Sequence, residues 1–179
     1  MINSDPDLSV GIGNLTVRDP TSSDWMKPSQ LKEIDIMTTT TQTTNMAIYQ
    51  RLYDAINSKD LGLIAETIDE VIHPDAVFHG GPPAASAAEA VKGAWASLLR
   101  GLPDIQVTVE DTIAEGDKVV FRNSVTGTHR GEFRGQSATG NKINYNEIFI
   151  GRFANGRIVE VWGIVDVYAQ LQQLGAINR

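Results

Sequence analysis

The stretch DIQVTVEDTIAEGDKVVFRNSVTGTH, residues 104–129, decides the architecture. Apolar residues recur at every second position on both sides of Glu115-Gly116-Asp117, which is the period of a strand, and the central glycine marks a hairpin. After the loop RGEFRGQSATGN (130–141), the same pattern returns in KINYNEIFIGRF (142–153) and RIVEVWGIVDV (157–167), joined at Ala154-Asn155-Gly156. On the last of these, Val159, Val161 and Val165 share one face, interrupted by Gly163, while Glu160, Trp162 and Asp166 share the other.

Upstream of the strands the period is helical. MAIYQRLYDAINS (46–58) sets Ile48, Leu52, Tyr53 and Ile56 on one face, and DLGLIAETIDEVI continues with Leu61, Ile64, Ala65 and Ile68. Pro74 ends this helical run before the short extended piece HPDAVFHGG. Ser86 and Glu89 form a capping box opening a third helix, whose core stripe is Val91, Ala94, Trp95, Leu98 and Leu99. A last helix, VYAQLQQLG, stops at Gly175. Helices followed by a run of antiparallel strands predict an α+β fold, a sheet curled around helices with an apolar pocket between them.

Residues 1–45 differ from the remainder of the chain: they are rich in Ser, Thr, Asp and Pro and show no sustained period. They are expected to be a mobile leader, with residues 46–179 forming the domain. The alternative is an arm that covers a neighbouring subunit through LSVGIGNLTV and Trp25.

Composition narrows the function. A chain of 179 residues with 41% hydrophobic content builds one domain with a sizeable core. A net charge of −7 argues against nucleic-acid and anionic-membrane partners. The absence of cysteine excludes thiolate nucleophiles, disulfides and Cys-ligated zinc. No apolar run approaches the roughly 20 residues of a membrane span. No signal peptide is visible, so a cytoplasmic protein is expected. His73, His79 and His129 lack metal-ligand spacing, and no phosphate loop or nucleophile elbow is present. Neither metal nor cofactor is expected.

The remaining chemistry is a carboxylate in an apolar setting. Glu147 shares a strand face with Tyr145 and Phe149. If that face is buried, desolvation raises its pKa and makes it an acid or base near neutrality; otherwise it faces water or pairs with an arginine. Asp166 stands where an aspartate caps the last helix. Glu160 and Trp162 are read as packing or subunit contacts. His129 stands at a strand end, either at a pocket mouth or fixing the loop.

The segment GTHRGEFRGQSATGNKINYNEIFIGRFANGRIVEVWGIVDVYAQLQQLGAI resembles the C-terminal half of the SnoaL-like polyketide cyclases, the ester-cyclase family. The family pattern is a GTHxGEFxGxxPTG loop, two strands across a DG turn, an E-H-W-D stretch and a closing LxQLG. The first helix and IHPDAVFH match as well, so the resemblance spans roughly residues 46 to 177. It implies a cone of the nuclear-transport-factor-like type, a homodimer or higher homo-oligomer formed through the sheet's outer face, and cofactor-free ring closure by intramolecular aldol attack. It implies a hydrophobic polycyclic or polyketide-like substrate. Tyr145, Phe149, Val161, Gly163, Trp95, His79 and His129 are the expected substrate-binding residues, with Glu147 the candidate catalytic group.

The chain departs from the family at its chemical positions. The aspartate base of the E-H-W-D stretch falls on Gly163, and the histidine before it falls on Val161. On the neighbouring strand, a polar residue and a histidine of the cyclase pocket fall on Glu147 and Phe149. Three readings are open: an acid/base enzyme using Glu147 for cyclisation or isomerisation, a hydroxylase-like member served by a reductase partner, or a binder of hydrophobic ligands without chemistry.

Overall fold

The computed structural model describes residues 27–81 and 84–177. The elements run α1 (Pro28–Ser58), α2 (Leu61–Val71), β1 (Ile72–His79), α3 (Ala87–Gly101), β2 (Gln106–Glu115), β3 (Lys118–Thr128), β4 (Lys142–Ala154), β5 (Arg157–Val165) and α4 (Val167–Leu174). The strands form one open sheet in the order β1-β5-β4-β3-β2, with β4 at its centre. The expected α+β fold is what the chain adopts. Its sheet is mixed rather than wholly antiparallel, because the HPDAVFH piece joins it as β1, parallel to β5.

Both hairpin turns form where expected. Glu115 pairs with Lys118 across the first, and Ala154 pairs with Arg157 across the second. Asn155 and Gly156 both have positive φ, 51° and 72°, which suits a two-residue hairpin loop following the twist of its strands. The register slips between Val109 and Asp111 and between Arg152 and Phe153, irregularities of the kind that bend a sheet. The slip opposite Arg152 changes the inward set on β5. Ile158 is buried, Val159 is half-buried at the irregularity, and Val161, Gly163 and Val165 resume the inner face. Val159, expected inward, therefore leaves that face, because an extra residue in a strand reverses the side-chain parity beyond it.

The helices pack on the concave face. On α1 the buried stripe is Tyr49, Leu52, Tyr53 and Ile56, with Ile48 only half-buried. Tyr49 packs against Phe121 of β3, with ring centroids 4.3 Å apart and the planes tilted by 44°. Asn57 fastens α1 to the edge strand β2: it donates to the Val107 carbonyl at 2.8 Å and accepts from the Val107 N–H at 2.9 Å. On α2, Ile64, Thr67, Ile68 and Val71 are buried and Leu61 is exposed. Ser86 caps α3 through the Glu89 N–H, and Asp166 caps α4 through the Ala169 N–H.

Helix α1 begins well before the boundary expected at residue 46. The threonine-rich run is helical although nearly all of it is exposed. Thr40, Thr41, Thr43 and Thr44 each donate a hydroxyl proton to the carbonyl four residues earlier, which gives these polar side chains partners along the helix itself. Trp25 and the 8–17 segment lie outside the described residues. Among the described residues no helix is long and apolar enough to cross a membrane.

Candidate active site

The inner faces of β4 and β5, together with α1, α3 and α4, line a partly open cavity of ≈ 670 Å³. Its wall is largely apolar. Val91, Ala94, Trp95 and Leu98 enter from α3, and Phe149, Val161 and Val165 from the sheet. Most of these side chains are only half-buried because they border empty space rather than one another.

One carboxylate faces this space. Glu147 sits on the inner face of the central strand and is 5% exposed. It makes no ion pair among the described residues. Its partner is Asn123, on the facing position of β3, whose Nδ2 donates to Glu147 Oε1 at 3.0 Å and to Tyr53 Oη at 2.7 Å. Burial pushes the Glu147 carboxyl up to about 7, opposed by the hydrogen bond from Asn123. An ionised carboxylate in low dielectric is costly, and one donated hydrogen bond recovers only part of its lost hydration. The group therefore exchanges a proton near neutrality.

Asn123, which was not among the residues expected at the site, has a detectable signal in the sequence. Positions 119, 121, 123 and 125 read Val, Phe, Asn, Val on one strand face, and a lone amide in an apolar period of two needs a buried partner. Two further polar residues line the cavity from α4 and the 130–141 loop, Gln170 and Arg134. The helical pattern of VYAQLQQL does not distinguish the inward glutamine from its neighbours.

Tyr145, Glu147, Phe149, Val161, Gly163 and Trp95 all line the one cavity. The two histidines do not. His79 pairs with Trp162 in the parallel β1–β5 register and so projects from the outer face. There it stacks on the indole at 4.9 Å and lies 2.8 Å from Glu160 Oε1. Strand parity thus removes it from the pocket: Phe78, its neighbour, is the inward residue. His129 is fully buried at the base of the 130–141 loop. Its Nδ1 accepts from the Thr139 N–H at 3.3 Å and lies 3.0 Å from Thr139 Oγ1, while its backbone bonds Gly140 and Asn141. It fixes the loop and does not line the cavity. Among the described residues no group of three His, Asp or Glu side chains converges to hold a metal.

Gly163 has a specific neighbour. It pairs with Phe149 across β4 and β5, and a Cβ built on it would lie 2.5 Å from Phe149 Cδ1, with Cε1 closer still. The room left by the missing side chain is therefore occupied by the Phe149 ring rather than open beside Val161. An aspartate here cannot coexist with that ring in place.

This geometry has two measurable consequences. The ordinary carboxyl value is 4.5 and the folded value about 7, so between them the folded chain binds more protons than the unfolded one. Stability is thus full below the unfolded pKa and is lost as pH rises through about 7, by up to about 3 kcal/mol. Glu147→Gln, which stays neutral, is expected to remove this loss. Urea titrations at pH 5 and pH 8 check it, and equal pH dependence in both proteins contradicts it. Gly163→Asp is expected to destabilise by about 1–3 kcal/mol or more through overpacking and a buried charge. Adding Phe149→Ala should recover part of that loss, read by thermal denaturation of both variants.

The SnoaL-like polyketide cyclase family profile matches residues 46–174. Among solved structures, the chain is similar to AclR of Streptomyces galilaeus, a candidate hydroxylase, at 31% identity and TM-score 0.67, over 76% of this chain and 99% of that one. It is similar to IdmH of Streptomyces antibioticus, a candidate polyketide cyclase, at 36% identity and TM-score 0.62, over 73% and 98% of the two chains. A SnoaL-like protein of Jannaschia sp. CCS1 aligns at 26% identity and TM-score 0.66, over 76% and 95%. Among curated proteins none matches significantly. With its profile match spanning most of the sequence and its cavity in the fold of these neighbours, this chain belongs to the SnoaL-like polyketide cyclase family.

Proposed function

We propose that the protein is an acid/base enzyme for a hydrophobic, polyketide-like carbonyl compound, with Glu147 as the base. The observation that carries this reading is a buried carboxylate that has no ion-pair partner among the described residues and faces an apolar cavity, with burial pushing its pKa up to about 7. Glu147 takes a proton from the carbon next to a carbonyl, and the C–H electron pair forms the enolate. In a cyclisation the enolate carbon attacks a second carbonyl of the same molecule, and the new alkoxide takes the proton back from Glu147. No electrons are gained or lost and no cofactor is consumed. The cavity contributes by holding the chain folded, with its reacting carbons close together.

The base step can be read without the natural substrate. In D2O the protein is expected to exchange the activated protons of 2-tetralone, at a rate that rises with pH through about 7 as Glu147 ionises. Glu147→Gln should slow the exchange by about 100-fold or more. Wild-type exchange rates in that variant, measured by NMR, would sink the assignment. Binding of the ketone with no exchange would leave a ligand-binding protein.

The hydroxylase-like reading is favoured by one comparison, the 31% identity with AclR. In that reading the cavity holds a reduced aromatic substrate that reacts with oxygen, and a reductase supplies the reduced form. It predicts oxygen uptake with a hydroquinone substrate; turnover under strict anaerobiosis excludes it.

We further infer a cytoplasmic homo-oligomer joined through the outer sheet face, preceded by an N-terminal leader, residues 1–45, whose last part is the exposed start of α1. Ile113, Ile148, Val77 and Ile164 are exposed large apolar residues on the strands, Ile164 at 76%. Isolated apolar side chains on a surface are ordinary, but a set of them across one sheet marks an interaction face. Ile164→Arg is expected to shift the sedimentation coefficient to that of a monomer. A wild-type protein already monomeric at high concentration refutes this.

A further inference from the structure

Tyr53 belongs to the buried stripe of α1, yet it also lines the cavity. Its ring stacks on Tyr49 at 6.2 Å and meets Phe121 edge-on at 5.7 Å, centroid to centroid, so its direction is fixed by packing. Its Oη accepts from Asn123 Nδ2 at 2.7 Å, the one hydrogen bond this hydroxyl makes among the described residues. The same nitrogen donates to Glu147 Oε1 at 3.0 Å. Asn123 is fully buried and stands behind these two cavity groups rather than on the wall.

The direction of both bonds follows from the base. An ionised carboxylate only accepts, so the amide must turn its nitrogen toward Glu147, and its second N–H then reaches Tyr53. Asn123 Oδ1 is left buried with no partner among the described residues. Turning the amide over would give that oxygen the Tyr53 proton but set it against the ionised Glu147. With its own oxygen accepting from Asn123, the Tyr53 hydroxyl keeps its proton uncommitted. Burial raises the Tyr53 pKa most and the Glu147 charge adds to this, against the hydrogen bond from Asn123, so the group stays a neutral donor. Two oxygens that share one donor atom are at most two hydrogen-bond lengths apart, about 6 Å. A carbonyl oxygen and the carbon next to its carbonyl are about 2.4 Å apart by covalent geometry. The pair fits between them, with the oxygen against Tyr53 and the C–H against Glu147.

We propose that Tyr53 is a second catalytic group, its phenol donating a hydrogen bond to the carbonyl oxygen of a ketone or ester whose neighbouring C–H faces Glu147, and that Asn123 is the positioning residue that leaves the Tyr53 proton free for that bond. The inference rests on the acid/base reading of Glu147 and adds the group that receives the charge. Glu147 takes the proton, the C–H electron pair becomes the carbon–carbon π bond of the enolate, and the carbonyl π pair moves onto oxygen. The Tyr53 hydroxyl is already placed to stabilise that oxygen and keeps its own proton throughout. Asn123 couples the two groups: the charge on Glu147 that makes it a base also holds the amide in the orientation that frees the Tyr53 proton.

The test is run at pH 8, above the Glu147 value of about 7. It combines 2-tetralone exchange in D2O with the carbonyl stretch of bound 2-acetylnaphthalene, read by infrared difference spectroscopy, and binding read by tryptophan fluorescence. In the wild type the stretch is expected below its frequency in hexane. Tyr53→Phe, which keeps the ring and its packing, should return the stretch to the hexane value and slow exchange by about 100-fold, with binding changed by less than a few-fold. Asn123→Asp and Asn123→Leu should each lose most of the shift while the ketone still binds. In the first, a carboxylate oxygen accepts the Tyr53 proton; in the second, nothing holds the phenol oxygen. Circular dichroism confirms that each variant is folded. An unshifted carbonyl in the wild type, or wild-type exchange in Tyr53→Phe while Glu147→Gln is slow, overturns the donor alone. Wild-type exchange in Glu147→Gln instead overturns the acid/base reading beneath it. A shift that survives both Asn123 variants overturns the positioning role.

Discussion

Asn123 donates from one amide nitrogen to both Tyr53 and Glu147, and this contact ties α1, β3 and β4 together at the cavity wall. The rest of the site depends on it. Without a donor at this point burial would act on the carboxyl unopposed and hold it neutral to higher pH; a cation there would favour the ionised form. A single neutral amide leaves the group near 7. The rigidity of the arrangement comes from the sheet, since Asn123 and Glu147 are direct partners in the β3–β4 register.

The cavity itself is a consequence of curvature. The register slips in β2 and between β4 and β5 are irregularities of the kind that bend a sheet, and α1 and α3 both line the space beside its inner face without filling it. The Phe149–Gly163 pair shows how tightly that space is shaped. The resemblance to the cyclase pattern implies an aspartate at position 163 and a histidine at position 149, and the Phe149 ring occupies the volume that an aspartate side chain at 163 would require. The carboxylate on this cavity wall is Glu147, with Tyr145 two positions along the same strand.

Much of this is legible in the chain. The change of period at residue 104, the two hairpin turns, the caps at Ser86 and Asp166, and the common strand face of Tyr145, Glu147 and Phe149 come from alternation and turn chemistry alone. The errors have physical causes. Val159 is misplaced by alternation because one bulge reverses strand parity, and His79 because its strand pairs in parallel and turns it outward beside Trp162. His129 can be placed on its loop but not on one side of it. The threonine run before residue 46 has no apolar stripe, so nothing in its pattern marks a helix whose hydroxyls bond its own backbone.

The sequence by itself determined the elements, their order and the presence of a carboxylate on a strand face shared with aromatic residues, because local periodicity and turn residues are short-range properties. Only the tertiary structure decided that Glu147 is buried without a cation, that Asn123, Gln170 and Arg134 share its cavity or its hydrogen bonds, and that Phe149 fills the space at Gly163. Those facts join residues from separate helices, strands and loops, and the pKa of a carboxyl depends on what surrounds it in space, not on what precedes it in the chain.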